Sequence, residues 1–146
     1  MKKKIIIFVG VIILVFTFSL FYFQPLQLSN LINENEKILI THIELSVENG
    51  KTHNDSNTYN DLTDEQENGI IRLFENYSYR RTFNTVFTDG SLSDLGDELL
   101  HVFIYKDTTL VNSIMISTTG NISVNNKTYE MKNTNKLIDK ILEIIC

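Results

Sequence analysis

Residues Ile5–Phe23 form an apolar run interrupted only by Gly10, Thr17 and Ser19, and the run follows directly on Lys2, Lys3 and Lys4. At ~1.5 Å of rise per residue such a helix spans roughly 28 Å, close to the ~30 Å hydrocarbon core of a bilayer. Ile, Val and Phe are mediocre helix formers in water. In lipid, however, every backbone N–H must be satisfied within the segment, so the run is expected to be one N-terminal transmembrane helix.

The lysines set its expected orientation. After Lys4 the next cation is Lys37, so the positive-inside rule places the N-terminus in the cytoplasm and the rest of the chain outside. A single-pass signal anchor in the cell membrane is therefore expected. The alternative is a signal peptide cleaved near Ser19, which would release the protein. Leu20–Phe23 continues the apolar run past that point, which favours retention. The expected organisation is a basic tag and anchor over 1–23, a juxtamembrane tether over 24–36 and an extracytoplasmic α+β domain over 37–146. Within the tether, Leu26, Leu28, Leu31 and Ile32 offer the alternative of a short helix packed on the domain.

Charge narrows the partners. Beyond Phe23 ten Lys and Arg stand against eighteen Asp and Glu, a formal charge of −8, which disfavours nucleic acid. The only cysteine is Cys146, so the domain is held by packing without an internal disulfide.

Hydrophobic periodicity gives the element order. Lys37–Val47 alternates as a strand with one slip near Thr41-His42, and Glu48–Lys51 carries a turn signal. Thr52–Asp61, polar and Asn/Asp-rich, reads as a surface loop. Thr63 with Gln66 three residues on is a capping box for a helix whose stripe is Ile70, Ile71, Phe74 and Tyr77. Tyr79–Phe87 alternates as a strand, and Thr88–Glu98 reads as a mobile loop docked by Leu92 and Leu95. Leu99–Lys106 and Leu110–Ser117 form a hairpin, followed by short strands at Ile122–Val124 and Thr128–Met131. A last helix, Asn135–Ile145, capped by Thr134, shows Leu137, Ile138, Ile141, Leu142 and Ile145 on one side. The fold expected is α+β, an antiparallel sheet of about five strands with two amphipathic helices on one face, preceded by the transmembrane helix. The other sheet face is left to water or a partner.

Chemistry is sparse. His42, His53 and His101 show no short ligand spacing, so no metal site and no cofactor are expected. Asn54–Asn57 with Asn60-Asp61 carries hard oxygen ligands but lacks the glycine and glutamate of a calcium loop. Asp89–Ser91 through Asp94 to Asp97-Glu98 is a second acidic stretch. No nucleophile elbow or phosphate loop occurs. The most unusual cluster is Tyr79, Arg80, Arg81 and Phe83: arginine beside aromatics is the composition of interface hot spots, and a guanidinium fork also suits a carboxylate or phosphate. The same arginines equally serve to neutralise surrounding acids.

With its anchor, its β-α-β order and the hairpin Gly120–Tyr129, the chain resembles small uncharacterised signal-anchored extracytoplasmic proteins of low-GC Gram-positive bacteria. That resemblance implies location and fold, and carries no site residues. The function expected is a non-enzymatic, membrane-anchored interaction domain of the cell envelope, meeting the membrane through its N-terminal helix and an envelope protein, peptide or cell-wall polymer through the domain. The alternatives are an immunity or sensor protein that captures a secreted peptide, and an envelope hydrolase. The hydrolase requires His42 or His101 to converge with acids.

Overall fold

Strict alternation at Ile38 and Ile40, at Leu100, Val102 and Ile104, and at Ile114 and Ile116 puts these side chains on one sheet face, where each is buried. Period-two alternation with one buried face pins strand register, because a one-residue slip would expose the whole set. A computed structural model describes residues 2–33, 35–48, 51–92 and 98–146, with side chains from residue 7 onward and without those of 47 and 48.

The elements are α1 (Lys2–Tyr22), β1 (Leu26–Gln27), β2 (Lys37–Glu48), β3 (Lys51–Tyr59), α2 (Asp64–Phe74), β4 (Ser78–Arg80), β5 (Glu98–Lys106), β6 (Thr109–Ser117), β7 (Asn121–Val124), β8 (Lys127–Met131) and α3 (Thr134–Ile145). Among the described residues the strands form one antiparallel sheet in the order β1-β4-β8-β7-β6-β5-β2-β3. Ile70 and Phe74 of α2 and Leu137, Ile138 and Ile141 of α3 join the buried sheet residues in a single core.

The two helices lock to each other at their ends. Gln66 completes the capping box, its Oε1 accepting from Thr63 N at 2.9 Å. Its Nε2 donates to the carbonyls of Ile144 at 3.2 Å and Ile145 at 3.4 Å. One side chain thus caps the start of α2 and the end of α3. Gly69 lies at the same crossing, where an added Cβ would stand 3.4 Å from Ile144 Cγ2.

The structure departs from the sequence-based expectation in several places. The sheet has eight strands where about five were expected, because Thr52–Tyr59 is the edge strand β3 rather than a loop and β1 adds a short edge opposite. Nearly every β3 side chain is exposed; an edge strand beyond the helical cover has no buried face to write a pattern in the sequence. The strand expected over Tyr79–Phe87 stops at Arg80, and Phe83–Val86 is a 3₁₀ turn. Its cause is local: Thr82 N donates to Thr85 Oγ1 at 2.8 Å, closing a hydroxyl cap that competes with the ladder. Thr134 does not cap α3 through its side chain. Its buried hydroxyl accepts from Gly120 N at 3.1 Å, while Asn133 stands at the cap with φ 59°. The turn expected at Glu48–Lys51 has its centre outside the described residues, as does Leu95. Gln24–Glu36 supplies β1 and a 3₁₀ turn, and buries Leu28 and Ile32 in the core.

The expected transmembrane helix, and with it the single-pass membrane location with a cytoplasmic N-terminus, is corrected. Among the described residues no helix is long and apolar enough to cross a membrane. The first turn of α1 is Lys2, Lys3 and Lys4, cations that are costly in hydrocarbon, so the apolar part is shorter than the helix.

Candidate functional site

Two places gather side chains that the fold itself does not need. The first is an aromatic collar where α1 ends. The cap at Thr82 turns the chain away from the sheet, so Phe83 is 78% exposed, Val86 57% and Phe87 86%. The Phe23 ring meets Phe83 edge-on at 4.8 Å. Arg81 Nη1 donates to Tyr22 O at 3.4 Å, and its guanidinium lies 5.4 Å from the centre of the Tyr22 ring. The collar is therefore continuous with α1, whose apolar side chains are exposed on every side, Phe8, Leu14, Phe18 and Phe21 among them.

The cluster Tyr79, Arg80, Arg81 and Phe83 is thus divided by the structure. Tyr79 is buried and packs edge-on against Tyr129 at 4.9 Å; burial raises its hydroxyl pKa, Tyr129 adds to the rise, and Arg81 offsets part of it. Arg80 is exposed on β4, opposite Glu130. Arg81 is a strut to α1. Phe83 remains at the surface and is joined there by Val86 and Phe87, which an expected strand had hidden. A hydroxyl three residues after another in Thr82-x-x-Thr85 is the local signal that would have found them.

The second place is on the helix-bearing face of the sheet, beyond the end of the core. Cross-strand register puts Glu44 directly opposite Asp55 on one side and Glu98 on the other. One step along β2 on the same face is His42, 4% exposed, its Nδ1 3.9 Å from Glu44 Oε1 and its Nε2 without a hydrogen-bond partner among the described residues. A cleft of about 420 Å³ lies beside the carboxylates, lined also by Ser46, His53 and Asn54. The two acidic stretches seen in the sequence are thus brought together at their ends, with Asp55 from one and Glu98 from the other; Asp94 and Asp97 lie outside the described residues.

On the opposite sheet face His101 Nε2 is 2.9 Å from Ser113 Oγ and its ring rests on Phe103 at 3.9 Å. Burial lowers the His101 pKa. A depressed histidine means that the unfolded chain binds more protons, so the stabilisation from keeping this ring neutral is full above about pH 6.5 and is lost as pH falls through the folded value. Between pH 7 and 5 wild type is expected to lose more stability than His101→Gln, as read by urea midpoints at each pH. Equal losses would show that this ring does not titrate with folding.

A cavity of about 840 Å³ lies beside α2, and two of the acids that line it are already engaged. Glu36 accepts from Asn33 N at 2.8 Å, and Glu67 accepts from Ile38 N at 3.2 Å and lies 3.8 Å from Lys37 Nζ. Cys146 is an exposed thiol whose Sγ is 3.6 Å from Tyr59 Oη.

Comparison with protein-family models, with curated proteins and with solved structures finds no match to this chain.

Proposed function

We propose that the chain is a non-enzymatic interaction module that seats a partner on the apolar surface formed by α1 and the Phe83–Val86–Phe87 collar. The observation that carries this reading is the exposure of the collar: Phe83 and Phe87 are 78% and 86% exposed although they border an ordered, capped turn. Contiguous apolar surface that is held in place and left uncovered is the usual mark of a binding site. Burying one Phe side chain yields about 1.5–3 kcal/mol, so two of them supply enough to anchor a contact. A helix apolar on all sides is likewise covered by something in its working state. Arg80 at the rim favours a partner with acidic groups beside its apolar surface.

The test is site-specific photo-crosslinking of the full chain in the cells that make it, with the reactive side chain placed at position 83 or 87, and at Glu143 on α3 as control. A discrete adduct at 83 and 87 that is missing at 143, and that fades when the other collar phenylalanine is changed to serine, is expected. Equal adducts at all three positions, or none, would reject the collar as a seat. Turnover of a peptide or cell-wall substrate by the purified chain, abolished in His42→Gln, would instead establish the hydrolase reading.

A further inference from the structure

We infer that His42, Glu44 and Glu98, with Asp55 alongside, form a zinc-binding site that clamps the edge strand β3 and strand β5 to β2. The inference starts from register. Asp55, Glu44 and Glu98 occupy directly opposed positions on three adjacent strands and share one face, so their Cβ atoms are neighbours at about 4.5–5.5 Å, a spacing at which like charges destabilise a sheet. No lysine or arginine among the described residues lies within ion-pair distance of any of the three. A cation bound between them removes the repulsion and turns it into attraction.

The buried imidazole is a second, independent observation. His42 is 4% exposed, its Nε2 has no partner among the described residues, and a buried polar nitrogen left unpaired is costly. The ring's other nitrogen, Nδ1, faces Glu44 Oε1 at 3.9 Å, and one donor atom each from His42, Glu44 and Glu98 lie within 4.8 Å of one another. Glu44 is largely exposed, its side chain 63% accessible, and is free to swing inward to close that set. A mixture of one imidazole with carboxylates suits zinc, which takes His nitrogen and Asp or Glu oxygen in four-coordinate sites. An all-oxygen set would point to calcium or magnesium instead. Asp55, opposite Glu44 and on the wall of the same cleft, supplies the fourth ligand.

The clamp explains what β3 is held by. The strand packs almost no side chain into the core, so beyond its ladder to β2 it has little to keep it in place. A zinc ion shared by Asp55, Glu44 and Glu98 ties three strands at one point.

The experiment is calorimetric titration of zinc chloride into the full chain stripped with chelator, alongside thermal unfolding. Binding of one zinc per chain and a rise in Tm are expected. Glu44→Gln and Glu98→Gln are each expected to weaken zinc at least as much as the loss of a ligand's supporting partner does, about 10–100-fold, with an unchanged far-ultraviolet spectrum. These two positions are chosen because neither side chain is in the core, whereas a change at buried His42 risks the fold. The site is overturned if wild type binds no stoichiometric zinc, if both variants bind as wild type does, or if Cys146→Ser removes the binding. Tighter binding of calcium chloride than of zinc chloride overturns the assignment of the ion.

Discussion

Phe74→Ala is expected to lower the stability of the domain by about 3–5 kcal/mol, the range for deleting a fully buried aromatic ring. Phe74 closes α2 at its C-terminal end and is 0% exposed, packed in the same cluster as Ile70, Leu28 and the sheet isoleucines. No side chain stands ready to refill the space, because its neighbours come from a helix, a 3₁₀ turn and a sheet that are each fixed by their own hydrogen bonds. Total stabilities of single domains are about 5–15 kcal/mol, so this change alone should leave the chain close to unfolding at ambient temperature. The measurement is urea unfolding followed by tyrosine fluorescence. The matched control is Phe83→Ala, at an exposed ring, expected to stay within about 0.5 kcal/mol of wild type. A Phe74→Ala loss below about 1.5 kcal/mol would mean that the core collapses around the cavity, and that α2 is less firmly seated than its burial indicates.

The contrast between these two phenylalanines also shows which parts of the structure the sequence made legible. Elements with one buried face wrote themselves plainly. The capping box Thr63–Gln66, the stripe Ile70–Phe74 and the alternation from Leu99 to Ser117 each state a period and a boundary, and the structure has α2, β5 and β6 there. The turn Asn125-Asn126, with φ of 48° and 62°, joins β7 and β8 in the gap between the short strands expected at Ile122–Val124 and Thr128–Met131. What stayed hidden had no face to bury or depended on pairing between distant strands. Edge strand β3 is polar on both sides, and Val86 and Phe87 read as part of the strand expected over Tyr79–Phe87, which a threonine cap ends early. The acid row needed register: His42 and Glu44 sit two apart and so share a face by sequence alone, but Asp55 and Glu98 join them only through pairings across 11 and 54 positions of chain. The apolar run at the N-terminus was the most prominent signal in the chain and the least reliable guide, since among the described residues no helix is long and apolar enough to cross a membrane.

Gly90→Ala is the second large effect, expected to cost about 2–4 kcal/mol from a left-handed alanine at roughly 1–2 kcal/mol plus the loss of neighbouring hydrogen bonds at about 0.5–1.5 kcal/mol each. Gly90 is buried at φ 86°, and a Cβ there would lie 2.5 Å from Asn126 Cα and 2.6 Å from Asn126 C. Those are backbone atoms of the β7–β8 turn, so neither can rotate away as a side chain would. Either the hairpin or the segment carrying Gly90 must move. The bonds at stake run from Thr128 N to Thr88 Oγ1 at 3.1 Å, from Thr128 Oγ1 to Ser91 O at 3.3 Å and from Lys127 Nζ to Thr88 O at 3.4 Å. Gly69→Ala makes the opposite case: its Cβ would stand at ordinary van der Waals distance, 3.4 Å and more, from the Ile144 side chain, and alanine gains about 1 kcal/mol of helix propensity, so that variant should be neutral or stabilised. Hydrogen exchange separates the two mechanisms. In Gly90→Ala the Thr128 amide should lose protection while the amides of α2 keep theirs, because the clash is confined to the strap that follows the collar. Uniform loss across the domain would mean instead that the strap is part of the cooperative core, and that the collar, which ends directly before Thr88, is held as rigidly as the sheet beneath it.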